Sequence, residues 1–277
     1  MIDLKQRKYY FFFTILGFIL LDIYLNVFIA KTNNIVTQLL LVILFFPLLK
    51  IILKATKLNS FKSIGIAFHP KWKRNLIIGF SIGFTFWLIK YALVYILNGF
   101  EIVGVKSLSE SLITFFFVFF AFFIGSFLND IIIRGYIFGH LKDKINGKWI
   151  FIISILIYAL DDSWNEGFSL SNTLYSIALG LSLTYSFYRT RSIWADTGIH
   201  WGLNVCYGIF NGMLGSSNGG IFIITDNANP SFIIDSISYI IPLLMFLFLY
   251  LLRGRLIINK DDYPKGNSTI SISEKAI

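Results

Sequence analysis

Cysteine is almost absent. Cys206 is the only one in 277 residues, which excludes an intrachain disulfide and a thiolate metal cluster. Histidine is nearly as scarce: His69, His140 and His200 lie far apart, and no H-E-x-x-H occurs. Three scattered imidazoles make a poor zinc site, so neither metal nor cofactor is expected. Charge is also thin, at 14% of residues, against about 25% in soluble domains. What charge there is leans basic, with 24 Lys and Arg against 15 Asp and Glu, a net +9. Such an excess can mark a nucleic-acid binder. Here the basic residues fall between apolar runs, as topology determinants do, so nucleic acid is not expected and membrane lipid is the compatible partner.

What replaces these residues is apolar bulk. The chain is 56% hydrophobic, with 30 Phe and 14 Tyr, and its mean hydropathy is +0.72. A helix needs roughly 20 residues to cross the hydrocarbon core. Runs of about that length lie at 9–30, 35–54, 75–97, 110–141, 172–189, 193–213 and 232–252. The run 149–162 is shorter, but the charge alternation requires it as a further span. The expected class is an all-α polytopic membrane protein of about eight transmembrane helices in one bundle. Its parts read as N-terminal helices (1–54), a cytoplasmic loop (55–74), a membrane core (75–252) and a cytoplasmic tail (253–277).

Lys5, Arg7 and Lys8 precede a first apolar stretch, Tyr9 to Ala30, that is longer than a signal-peptide core and has no A-x-A site after it. It reads as a retained span. One side of the membrane then collects those residues, the basic residues of 50–74, Lys142, Lys144, Lys148, Arg189, Arg191 and the tail from Arg253 on. The other side keeps Lys31 and Lys106 with the acids Glu101, Glu166 and Asp226. The positive-inside rule therefore puts a multi-pass protein in the cell membrane with both termini cytoplasmic.

Three of these helices carry polar residues that hydropathy disfavours. The fourth has Asn129, Asp130 and Arg134; the fifth ends in Tyr158, Asp161 and Asp162; the seventh has Asp196, His200 and Asn204. Asp130 and Arg134, four apart, share a helix face in the favourable order. Each such charge in a membrane costs about 2.5–3.5 kcal/mol on insertion scales. At about 1.5 Å per residue from the nearest cytoplasmic basic residue, Asn129, Asp162 and Asn204 all reach roughly 20 Å. His200 comes out near 14 Å and Arg134 near 12 Å on the same scale. That common layer is what a shared polar chamber requires. Blander readings stand beside it. Asp161 and Asp162 suit a solvated helix end, Asp196 suits the cytoplasmic interface, and Asp130 with Arg134 suits a structural pair. His200 with Asn204 suits interhelical hydrogen bonding. Asp22 and Asn26 read as packing polarity, and His69 and His140 as solvated. Gly215-Ser216-Ser217-Asn218-Gly219 fits G-x-S-x-G but lies in a loop after a helix, not on a strand-to-helix elbow.

With these residues in view, the chain resembles the CPBP family over about 60–213. That family unites type II CAAX prenyl endopeptidases with bacteriocin-processing and self-immunity (Abi) proteins. Its motifs are E-E-x-x-x-R followed by Gly, F-x-x-x-H, and H-x-x-x-N or H-x-x-x-D. The third is intact as His200-Trp201-Gly202-Leu203-Asn204. The first keeps Arg134-Gly135 but has Asn129 and Asp130 for the glutamates, and the second reads Tyr158-Ala159-Leu160-Asp161-Asp162, with Asp162 for histidine. In the family the first glutamate activates water for attack on a peptide carbonyl, and the histidines and asparagine assist. The resemblance thus marks Asn129, Asp130, Arg134, Asp162, His200 and Asn204 as the site positions.

An amide at 129 cannot act as a general base. Asp130 is tied to Arg134 and turned about 100° from position 129. A carboxylate at 162 would repel an oxyanion. The expectation is a catalytically impaired protein that binds a membrane or cell-envelope partner, in bacteriocin immunity or envelope regulation. The alternative is an active intramembrane endopeptidase using Asp130 or Asp162 with His200. A small transporter ranks behind both, since no inverted repeat is visible.

Overall fold

The computed structural model describes residues 4–213, 219–227 and 232–252. The tail 253–277 and Gly215 to Asn218 lie outside the described residues. Eight long helical runs form one bundle. They are α1 (Leu4–Ile23), α2 (Ile35–Ala55), α3 (Trp72–Ile96), α4 (Leu108–Asp130), α6 (Gly147–Asp161), α8 (Leu170–Thr190), α9 (Ile193–Asn211) and α10 (Phe232–Leu251). A π-helical stretch (Tyr24–Ile29) prolongs α1, and another (Ile131–Tyr136) carries α4 without a break into α5 (Ile137–Leu141). The single turn α7 (Ser163–Glu166) follows α6. This is the expected all-α membrane architecture.

Among the described residues, five runs have the length and apolarity to cross a membrane: Tyr9–Ile29, Ile35–Ala55, Trp72–Ile96, Leu108–Leu141 and Phe232–Leu251. Of the other three, α9 and the second half of α8 are mostly buried, where hydropathy is a weaker requirement, while α6 is apolar but short and exposes Trp149, Leu156 and Leu160. On α8, Ser176, Ser182, Thr184 and Ser186 are fully buried. Two of these hydroxyls bond back to their own helix, Ser176 to the Asn172 carbonyl at 2.9 Å and Ser186 to the Ser182 carbonyl at 3.0 Å; the polar group is then satisfied without a partner helix.

The tightest helix contact joins α3 to α9. A methyl added at Gly83 would sit 2.1 Å from the Ile199 carbonyl oxygen, and one at Gly202 would sit 2.1 Å from that of Phe80. Gly79 and Gly198 meet backbone just as closely. Each helix thus carries G-x-x-x-G, the small-residue spacing that lets membrane helices touch backbone to backbone. The two run parallel, and His200 lies between the glycines of α9.

The 55–74 connection is less free than a loop reading suggests. A 3₁₀ turn (Phe61–Ile64) ends at Gly65, whose φ of +85° suits glycine. Gly65 then accepts a hydrogen bond from the Ile193 amide at 3.1 Å. Phe68, Trp72 and Trp194 stack beside it, with Trp72 and Trp194 centroids 4.7 Å apart. This packing corrects the expectation that His69 and His140 are solvated, since both are 3% exposed. His140 holds the Tyr136 carbonyl oxygen at 2.8 Å from Nδ1.

The expectation of helices alone omitted one feature. β1 (Phe100–Val105) and β2 (Phe222–Asp226) pair antiparallel, Phe100 opposite Asp226 and Val105 opposite Phe222. Ile102-Val103 and Ile223-Ile224 are β-branched runs that suit strands, and outside a helix their backbone groups need partners.

Candidate functional site

The polar residues of α4, α6 and α9 meet inside the bundle. The π-helical stretch places Arg134 one turn after Asp130, with both side chains fully buried. The Arg134 Nη1 donates to Asp130 Oδ1. The same oxygen lies 3.0 Å from His200 Nδ1. On the other side, Arg134 Nε is 3.6 Å from Asp196 Oδ1, again with both side chains fully buried. Asp196 is therefore not at an interface: α9 turns it inward as a second counter-charge for one guanidinium. The guanidinium also lies 4.6 Å from the Tyr158 ring centroid, and the edge of His200 meets that ring at 6.2 Å. An ionised carboxylate can only accept, so Nδ1 of His200 carries a hydrogen, and in the neutral ring Nε2 is the acceptor.

One turn along α9, Asn204 Nδ2 donates to Ser126 Oγ on α4 at 3.2 Å. Asn129 makes a different connection: its Nδ2 donates to Asp161 Oδ2 at 2.6 Å. Asp161 Oδ1 accepts from Asn26 Nδ2 at 2.9 Å, and that amide also reaches Asp22 Oδ1 at 3.2 Å. Trp164 Nε1 closes the chain on Asp22 Oδ2 at 3.2 Å. Asp22 and Asn26 are thus not mere packing polarity; they fasten α1 to the site helices. Asp162 takes a separate path. Its Oδ2 accepts from Ser176 Oγ at 2.5 Å, and it lies within electrostatic reach of His200.

The structure therefore joins Asp130, Arg134 and His200 in one network and brings Asn204 beside it through α4. Asn129 belongs to a neighbouring network centred on Asp161, and Asp162, at the end of α6, is bonded to Ser176 of α8. Sequence reasoning left Asp161 and Asp196 open and missed Ser126. It also passed over Lys90 on α3, held between Trp87 and Tyr175 at 5.4 Å from each ring. Signals were present: Asp22 and Asn26 share the i,i+4 spacing of Asp130 and Arg134, and a lysine inside a span is a functional candidate by default. Among the described residues, no three His, Cys, Asp or Glu side chains converge as metal ligands.

Chemically, these groups hold one another. Asp130 is engaged by a guanidinium and an imidazole, and Asp161 by two amides. Position 129, where a base would stand by the resemblance, holds an amide that donates.

No curated protein and no solved structure matches the chain. Residues 111–206, from the first turn of α4 to the far side of the α9 polar face, match the family model described as Type II CAAX prenyl endopeptidase Rce1-like. That match spans about a third of the chain and holds every motif position, so the segment that builds the site is Rce1-like, of the CPBP type.

Proposed function

We propose that this membrane protein uses its Rce1-like polar layer to hold a membrane or cell-envelope polypeptide, and that it does not perform glutamate-dependent peptide hydrolysis. The observation that carries this reading is the bond from Asn129 Nδ2 to Asp161 Oδ2 at 2.6 Å. It commits the side chain at the motif's base position to donating a hydrogen, the opposite of what activating water requires. Bacteriocin self-immunity and regulation of a cell-surface enzyme are the roles that the resemblance suggests. Both ask for a stable complex rather than turnover. Multi-pass insertion in the cell membrane with cytoplasmic termini goes with this reading.

One observation favours the alternative of an active intramembrane endopeptidase with a rearranged site. His200 is oriented by Asp130 at 3.0 Å, a carboxylate–imidazole pair of the kind that activates nucleophiles. Incubating the purified protein with membrane-inserted peptides, followed by mass spectrometry, separates the two. The first reading expects bound and intact peptide. Cleavage that His200→Ala abolishes would establish the second.

A further inference from the structure

Which groups of the polar layer remain unused defines the chemistry of whatever enters it. Asn129 gives one of its two amide hydrogens to Asp161, and its Oδ1 is buried with no partner among the described residues. Asn204 likewise gives one amide hydrogen to Ser126. Asp162 uses only Oδ2, on Ser176. Asp130 Oδ2 is also unpartnered. His200 is 8% exposed, its Nδ1 is pinned to Asp130, and its Nε2 has no partner among the described residues. Each of these unused atoms is an acceptor. Arg134 is wholly buried between two carboxylates against Tyr158. Acids outnumber it: Asp130 and Asp196 flank the guanidinium, Asp161 accepts from Asn129, and Asp162 accepts from Ser176.

We infer that the polar layer receives a cationic hydrogen-bond donor, the ammonium or guanidinium of a lysine or arginine on an apolar peptide segment. This rests on the binding reading above and names the partner's chemistry. A cation would meet acceptors already desolvated, where charge-assisted hydrogen bonds are strongest. The walls favour a charge delivered on an apolar stem. The ring of Tyr158 supplies one such wall, 4.6 Å from the Arg134 guanidinium and 6.2 Å, centroid to centroid, from His200. Lysine supplies such a stem, with methylenes that lie against apolar surface.

The full chain in nanodiscs of uncharged lipid tests this with synthetic leucine–alanine transmembrane peptides. The peptides differ only in a central Lys, Leu or Glu, and binding is read by fluorescence transfer. The Lys peptide should bind about tenfold more tightly than the other two. Asp162→Asn and His200→Gln should each cut that ratio of Lys to Leu affinity to below roughly threefold. Equal binding of the Lys and Leu peptides, a preference for Glu, or no binding at all overturns the inference, and the wild-type comparison decides this even if a variant fails to fold. Cleavage of a peptide overturns the binding reading instead; the initial Lys preference then still upholds or overturns the inference by itself.

Discussion

Asn129 on α4 donates to Asp161 on α6 at 2.6 Å. Two residues that read as a lost base and a solvated helix end are in fact one contact, and it joins the helices that frame the site. Asp161 is only 6% exposed, so the bond forms where water competes little.

If this contact holds α4 to α6, Asn129→Ala and Asp161→Ala should be coupled. The expected coupling is about 0.5–1.5 kcal/mol, the range of polar contacts between membrane helices. A double-mutant cycle of denaturation in mild detergent measures it, and additivity would show that the contact contributes nothing.

Putting glutamate back at position 129 should fail alone. Asn129→Glu sets a second carboxylate against Asp161 and should lower the thermal midpoint, with Asp161→Asn restoring it. Adding Asp162→His to that pair recreates the motif glutamate and histidine. Release of a fluorophore from a quenched peptide, absent from the wild type, is then the expected gain.

Arg134 lies between Asp130 and Asp196, all three fully buried. Removing the guanidinium in Arg134→Met leaves two carboxylates uncompensated and should cost about 3–5 kcal/mol. Arg134→Met with Asp196→Leu should recover part of that loss. Arg134→Lys should fall short of wild type, because a point charge cannot span both acids. Monodisperse yield and detergent-resistant melting report each variant.

Gly202 to alanine tests the backbone contact of α3 and α9. The added carbon would lie 2.1 Å from the Phe80 carbonyl oxygen, so the helices must part, at about 1–3 kcal/mol. Gly125→Ala is the control: its added methyl meets nothing within 4 Å, and it should be neutral or mildly stabilising. Equal effects of the two on melting would show that close packing is not what these glycines serve.

Much of the architecture was legible because lipid imposes a one-dimensional rule. A span must be long and apolar, and α1 to α5 and α10 obey it, so Tyr9–Ile29 and Leu108–Leu141 stand out in the sequence itself. The interior helix α8 reads less clearly, since serines and threonines interrupt its apolar run. The glycine spacing of α3 and α9 was there to be read. The pairing of β1 with β2 was not, because it joins segments more than a hundred residues apart.

For the site, the sequence by itself determined which residues are polar, their spacing on each helix, and the absence of a carboxylate at position 129. Those are covalent facts, and helical periodicity converts spacing into a shared face. Only the tertiary structure decided partners. It assigned Asp130 to both Arg134 and His200, turned Asp196 inward, and brought Asp22 and Asn26 from the first helix to Asp161. A buried charge must find its complement wherever the fold supplies one, and that choice depends on how helices rotate against each other, which no single helix encodes.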